Sequence, residues 1–427
     1  MEGFKKGAII TLNDGKTVKV NKELGKGGQG IVYDVSLDNK HYALKWYLPE
    51  YLKSINQKEF YDNLRANQET GAPSNQFLWP LSISTYTKDS FGYLMELRPS
   101  RYIDFTSILN VKKRFKNVKT QLTAARNISI AFQSLHKRGY SYQDINDGNF
   151  FIDINNGDVL VCDNDNVAPY GTWMGMAGKD RYMAPEVVLR EKHAGMESDL
   201  FSLAVIIFMI LFNSHPLEGK QVHECPCLTA NYIKKFYAEN PVFIFDPNND
   251  QNRPVIGIDN NVLVLWPYYD QKIKDLFIRS FTKGLKESGY RVRENEWIAC
   301  LDEIINSILI CPHCGGEHFY VPGNDDKLTY YCEDCKNSIR KPFYFTDVQS
   351  IVLLHPQKKL ILGNELIGEI VESTKHKGLW GIKNKSANTI VLSIDNGNQY
   401  LAKKDEIIPL FANGELIINS KKYKVKI

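Results

Sequence analysis

Residues 8–47 alternate apolar and polar positions with a period of two, broken by turn signals at Asn13-Asp14-Gly15 and Gly25–Gly30. That pattern predicts antiparallel strands. Residues 54–69 are helix-compatible and close at Gly71-Ala72-Pro73. Strand-like alternation returns at Phe77–Ile83 and Gly92–Leu97. From about residue 117 the period lengthens, and helices are expected at 117–137, 199–213, 229–239, 270–284 and 295–309. A strand-rich part followed by a helix-rich part predicts an α+β architecture in two lobes. The helical pattern stops at Cys311. Residues 342–427 alternate Val, Ile and Leu with polar residues, with Asn-Gly turns at 396–397 and 413–414, which predicts an all-β module.

Length and charge narrow this picture. A chain of 427 residues is too long for one core. The net charge of +4 is small for this size and gives no case for nucleic acid or membrane binding. The longest apolar run, Leu203–Phe212, is half of the roughly 20 residues a membrane span needs, so it reads as a buried helix. No apolar leader follows Met1, and the expected location is cytoplasmic.

The candidate chemistry begins at Asp144. Asn149 follows five residues later, and Asp163 follows the apolar run Val159–Cys162. One carboxylate to orient an acceptor hydroxyl, with an amide and a second carboxylate for Mg²⁺, is what phosphoryl transfer from ATP needs. Upstream, Gly25-Lys26-Gly27-Gly28-Gln29-Gly30-Ile31-Val32 lies between two strands. Glycines let the backbone approach phosphates closely. The strand-like residues after Gly30 argue against a dinucleotide fold, which needs a helix there. Lys45 sits in the apolar strand Tyr42–Trp46, where an ammonium is costly to bury without an anionic partner. Glu59 and Glu69 lie on the following helix, and Glu59 is the expected partner.

These motifs, in this order, resemble the eukaryotic-type protein kinases of bacteria over about residues 8–305. The resemblance implies that Gly25, Gly27, Gly28, Gly30, Val32, Ala43 and Lys45 bind ATP. It implies that Met95 is the gatekeeper, with Glu96 and Leu97 as the hinge against adenine. Asp144 would be the catalytic base, with Asn149 and Asp163 as ligands of Mg²⁺ or Mn²⁺. Met183-Ala184-Pro185-Glu186 resembles the motif closing the activation segment, Arg291 its arginine partner, and Asp199 the brace of the catalytic loop. Phe77-Leu78-Trp79-Pro80 is similar to a strand in a bacterial group associated with phosphatase and von Willebrand-type partners. The implied activity is phosphorylation of Ser or Thr hydroxyls on a protein substrate.

The departures are specific. Tyr142-Gln143-Asp144 replaces His-Arg-Asp, removing the cation that grips a phosphorylated activation loop, so activity without phosphorylation at Thr172 is expected. Asp163-Asn164-Asp165 replaces Asp-Phe-Gly, which predicts a loop less able to flip. Asn146 stands where such kinases place a lysine for the γ-phosphate, and Lys179 or Arg181 could substitute. The alternative to an enzyme is a pseudokinase-type nucleotide-binding scaffold.

Four of the eight cysteines form Cys311-x₂-Cys314 and Cys332-x₂-Cys335, 17 residues apart. This spacing fits a structural Cys₄ zinc ribbon. The flanking charges are mixed: Glu317, Asp325, Asp326 and Glu333 against Lys327, Lys336 and Arg340. A nucleic-acid role is therefore not expected. His223, Cys225 and Cys227 have poor spacing for one metal and read as a loop. The last module loosely resembles a forkhead-associated β-sandwich. Asn364 stands where that family has its anion-binding Arg, and Ser373 and Asn388 remain as hydrogen-bonding groups. The expected domains are 1–305 (lobes 1–98 and 99–305), a ribbon at 306–342 and a sandwich-like module at 343–427.

Overall fold

A six-stranded antiparallel sheet opens the chain. Its strands are β1 (Ile9–Thr11), β2 (Thr17–Lys26), β3 (Gly30–Leu37), β4 (Lys40–Tyr47), β5 (Ser82–Ile83) and β6 (Gly92–Glu96), in the order β1-β2-β3-β4-β6-β5. The computed structural model describes all residues except 1–2, 87–89, 176–177, 228, 321–328, 348–349, 357, 363–364 and 395–396. Asp325, Asp326, Lys327, Asn364 and Asn396 lie outside the described residues. The chain forms two compact units, Met1–Leu301 and Asp302–Ile427.

The period-two alternation sorts the first sheet into two faces. Ile31, Tyr33, Val35, Leu44 and Leu94 pack with Ile10, Val18 and Val20 on one face. Ala43, Tyr47, Tyr93 and Met95 turn to the other, against Phe60, Tyr61 and Leu64 of helix α1 (Gln57–Thr70). Lys45 lies between Ala43 and Tyr47 on β4, so the alternation turns it to this second face. A Cβ on Gly30 would come within 2.5 Å of the Trp46 carbonyl oxygen, so the β3–β4 pairing itself requires glycine there.

Phe77–Ile83 is not one strand: only Ser82–Ile83 joins the sheet. Pro80 has no N–H to give a ladder, and the residues before it bond elsewhere. Leu78 N donates to the Val161 carbonyl at 2.9 Å, and Trp79 Nε1 to the Asn67 carbonyl at 2.8 Å. The aromatic segment thus ties α1 to the strand that precedes Asp163.

In the helical part, α2 (Val118–Lys137) starts at Asn117, whose side chain accepts from Thr120 N. A small antiparallel sheet follows, of β7 (Tyr102–Asp104), β8 (Phe150–Asp153) and β9 (Val159–Val161), in the order β9-β8-β7. Helix α3 (Met196–Phe212) is buried at every position from Ser198 to Phe212. Among the described residues no helix is long and apolar enough to cross a membrane. The helix expected at 229–239 changes at Lys235 to a wider turn that runs to Glu239. The last one ends at Asn306, because Ile308–Ile310 pairs as a strand with Glu317–Phe319.

Beyond Asn306, where the last helix ends, the described residues of the second unit form only strands and turns. Two four-stranded antiparallel sheets hold a core that includes Phe345, Ile367, Ile382, Leu392 and Leu416. Asn384 is buried within it and fully used: its amide donates to Asn388 O and Ala402 O, and its oxygen accepts from Ser386. Ser373 Oγ accepts from Lys375 N and His376 N, and Asn388 donates to Asn419, so both serve internal bonds.

Candidate active site

Of the residues singled out from the sequence, Lys45, Asp144, Asn149 and Asp163 meet between the first sheet and β8–β9. Asp144 and Asn149 belong to the loop ahead of β8, and Asp163 follows β9. The Asn149 amide nitrogen donates to the Asp144 carbonyl at 2.8 Å, which ties the two ends of the loop together. Gln143 holds φ 70°, a left-handed conformation that costs a non-glycine residue roughly 1 kcal/mol. Asp199 supports it: its carboxylate accepts from Tyr142 N at 2.6 Å and Gln143 N at 2.9 Å. As the fourth residue of α3, Asp199 also sits where the helix dipole favours a negative charge.

Asp199 is itself held by a histidine the sequence reading missed. Buried His136 bonds Asp199 Oδ2 through Nε2 at 3.2 Å and Glu294 through Nδ1. Burial opposes its charge, and the bonds to the two carboxylates overcome that, raising its pKa to about 9.

Lys45 corrects the sequence reading. Its Nζ lies 2.7 Å from Asp165 Oδ2, 3.2 Å from Asp163 Oδ1 and 2.8 Å from Gln29 Oε1. Glu59 is not its partner. Glu59 stands three residues after the N-cap Asn56, whose amide donates to the Glu59 carboxylate at 3.0 Å while its oxygen accepts from Glu59 N. This is a capping exchange, and it turns the side chain toward solvent. Glu69 pairs with Arg65. Burial works against the Lys45 charge, and Asp163 and Asp165 outweigh it, so the pKa lies well above the usual lysine value.

Asp165 is fully buried and also accepts from Tyr47 Oη at 2.6 Å. Its neighbour Asn164 is equally buried and donates to Leu78 O and Val161 O. Asn63 and Asn67 of α1 both donate to Val167 O. The segment after Asp163 is therefore bonded to the sheet-bearing lobe through side-chain amides and one carboxylate.

Asp144 is largely buried. Desolvation raises its pKa to about 6 against the bond from Asn146 Nδ2 to its Oδ1 at 2.9 Å. A carboxylate with such a pKa is poised to accept a proton near neutral pH. Gln143, in the place of an arginine, donates to Thr172 O at 2.6 Å, and so holds the later segment without a phosphate. Arg291 donates two hydrogen bonds to the Glu186 carboxylate, from Nη1 at 2.7 Å and from Nη2 at 2.8 Å.

Val32, Ala43, Met95, Leu97, Phe151 and Cys162 share one apolar cluster, with Ala43 opposite Met95 in the ladder. Phe151 and Cys162 carried no motif that would have marked them. Glu96 bonds Lys40 by its side chain at 3.0 Å. Cβ atoms on Gly25, Gly27 and Gly28 would meet nothing within 4 Å, so the rim of the glycine loop is open.

Asn149 and Asp163 offer hard oxygen donors of the kind Mg²⁺ takes. Asp163 keeps 38% of its side chain exposed, and Asn149 commits its nitrogen to Asp144, so its oxygen remains the donor end.

In the second unit the Sγ atoms of Cys311, Cys314, Cys332 and Cys335 all lie within 4.8 Å of one another. Cys311–Cys335 and Cys314–Cys332 are 3.7 and 3.6 Å apart. A tetrahedron with Zn–S bonds of 2.3 Å has edges of about 3.8 Å. The two knuckles repeat one pattern. Gly315 N donates to Cys311 O and Lys336 N to Cys332 O, both at 2.9 Å and both from left-handed residues. His318 Nε2 lies 3.1 Å from Cys332 Sγ. His223 bonds Asp259, and no metal-binding group forms with Cys225 and Cys227 among the described residues.

The family model described as the protein kinase domain matches residues 18–275. Similar curated proteins include the serine/threonine-protein kinase SCH9 of Candida albicans, 26% identical over 210 residues (47% of this chain, 26% of that protein). The dual specificity protein kinase shkB of Dictyostelium discoideum is 24% identical over 277 residues (62% and 37%). The protein kinase YegI of Escherichia coli is 25% identical over 316 residues (71% and 47%). The chain spans between 26% and 47% of the length of these relatives.

Proposed function

Because the chain belongs to the protein kinase family, matching its domain over residues 18–275, we propose that it transfers the γ-phosphoryl group of ATP to serine or threonine hydroxyls of a protein. The observation that carries this reading is the gathering of Lys45, Asp144, Asn149 and Asp163 beside the apolar cluster of Ala43, Met95 and Phe151. The cluster takes the adenine, and the backbone of Glu96 and Leu97 supplies its polar contacts. The open glycine rim and Lys45 hold the phosphates, with Gln29 giving up its place on Lys45 when they arrive. Asp144 orients the acceptor hydroxyl and takes its proton. Asn149 and Asp163 would hold Mg²⁺ or Mn²⁺, which would supply positive charge to neutralise the charge developing on the phosphates.

The ribbon cysteines would hold one structural zinc, since four thiolates fill a tetrahedral shell and leave no open position. A nucleotide-binding scaffold is the second reading, and Asn146 favours it. Mass spectrometry of a protein substrate incubated with the chain and Mg²⁺-ATP separates the two. The enzyme reading expects new phosphoserine or phosphothreonine, absent with Asp144→Asn.

A further inference from the structure

Phosphoryl transfer builds negative charge at the acceptor side of the γ-phosphate, and a preorganised cation there is worth orders of magnitude in rate. This site is crowded with carboxylates instead: Asp144, Asp147, Asp163 and Asp165. Asn146 brings no charge to it. Its amide nitrogen is committed to Asp144, and its oxygen accepts from Gly148 N at 3.0 Å. Lys45 is held by three acceptors on the far side. Arg181 is locked away by a double contact with Glu218, which Tyr237 Oη also binds.

Lys179 stands differently. Its Nζ lies 2.8 Å from Asp147 Oδ1 with 56% of its side chain exposed. A Cβ added to Gly148 would be 3.6 Å from that Nζ and 3.1 Å from Asn146 Oδ1, so the ammonium lies over the loop at 146–148. A Cβ on the preceding Gly178 would be 3.2 Å from Asp144 Oδ1, so this backbone packs directly on the Asp144 carboxylate. The missing side chain at position 148 leaves room above the loop for the ammonium.

We propose that Lys179 is the catalytic cation of this site, reaching from the segment before Tyr182 to the γ-phosphoryl oxygens in place of a lysine at position 146. The inference rests on the kinase reading above. In the step, the acceptor oxygen forms its bond to the γ-phosphorus as the bond to the β,γ-bridging oxygen breaks. The electron pair stays on the departing diphosphate, and the hydroxyl proton passes to Asp144. Lys179 exchanges Asp147 for the phosphoryl oxygens, remains protonated throughout, and moves no proton.

The test uses the full chain with Mg²⁺-ATP and four proteins: wild type, Lys179→Met, Asp147→Asn, and Asn146→Lys combined with Lys179→Met. Lys179→Met is expected to lower kcat by about 100-fold or more, with KM for ATP changed by less than about threefold. Calorimetry should show its affinity for ADP with aluminium fluoride falling, while that for ADP alone holds. Asp147→Asn breaks the ion pair but leaves the ammonium, so its loss in kcat is expected to be at least about tenfold smaller than that of Lys179→Met. The relocated lysine should recover about tenfold or more over Lys179→Met. Equal losses in Lys179→Met and Asp147→Asn would show that the ion pair only props the segment, and would overturn the inference. A Lys179→Met protein as fast as wild type would also overturn it. A wild type that transfers nothing would instead remove the kinase reading on which it rests.

Discussion

Lys45 Nζ and Asp165 Oδ2 lie 2.7 Å apart, across 120 positions of sequence, with both side chains buried. Asp165 therefore holds the place that the sequence assigned to a helical glutamate. Asp165→Asn leaves the lysine with less opposing charge in a dry site and should lower kcat/KM by about tenfold or more. Glu59→Gln touches only the helix cap and should stay within about twofold of wild type. Steady-state kinetics of the two variants checks this, and the reverse ranking would contradict the assignment.

The His136 pair with Asp199 and Glu294 makes stability depend on pH. The folded pKa of about 9 lies above the ordinary histidine value. Its contribution is therefore fully present below about pH 6.5 and is lost as pH rises through about 9, on the order of 3 kcal/mol in all. Thermal melts of the full chain between those limits should show this fall. His136→Gln should be less stable at the low end and flatter across the range.

Thr172 presents its backbone oxygen to Gln143, and a neutral amide needs no phosphate to bind it. Thr172→Ala should keep transfer activity within about twofold, and so should phosphatase-treated wild type. Gln143→Ala removes the anchor and should be the impaired variant, read by kinetics and by protease sensitivity of the segment.

The four clustered thiolates should bind one zinc per chain, measurable by atomic absorption. Chelation should unfold the ribbon strands, since metal binding supplies their folding energy. Cys332→Ser should lose the metal. A metal-free chain with an unchanged melt would contradict this.

The proposed catalytic set was legible as a cluster because Lys45, Asp144, Asn149 and Asp163 sit in short local patterns. Asp165 was not, since its role exists only when β4 meets the segment after β9. Glu59 could have been removed earlier: Asn56 three residues ahead of it is a readable cap. Phe77–Ile83 imitated a strand by alternation, and Pro80 was the contrary signal. The run Ile308-Leu309-Ile310 extended the helical pattern past Asn306, although β-branched residues before a cysteine knuckle suit a strand. His136 lies on a helix face like any other buried side chain, and only the approach of Asp199 and Glu294 distinguishes it.

Transfer of label from γ-labelled ATP in the presence of Mg²⁺ tests the account most directly. Wild type, Asp144→Asn and Asp163→Asn would be incubated side by side, alone and with a generic basic protein. The account predicts incorporation by wild type that both substitutions abolish. Absence of incorporation by wild type, with Mg²⁺-dependent ATP binding intact, would contradict it and leave a nucleotide-binding scaffold.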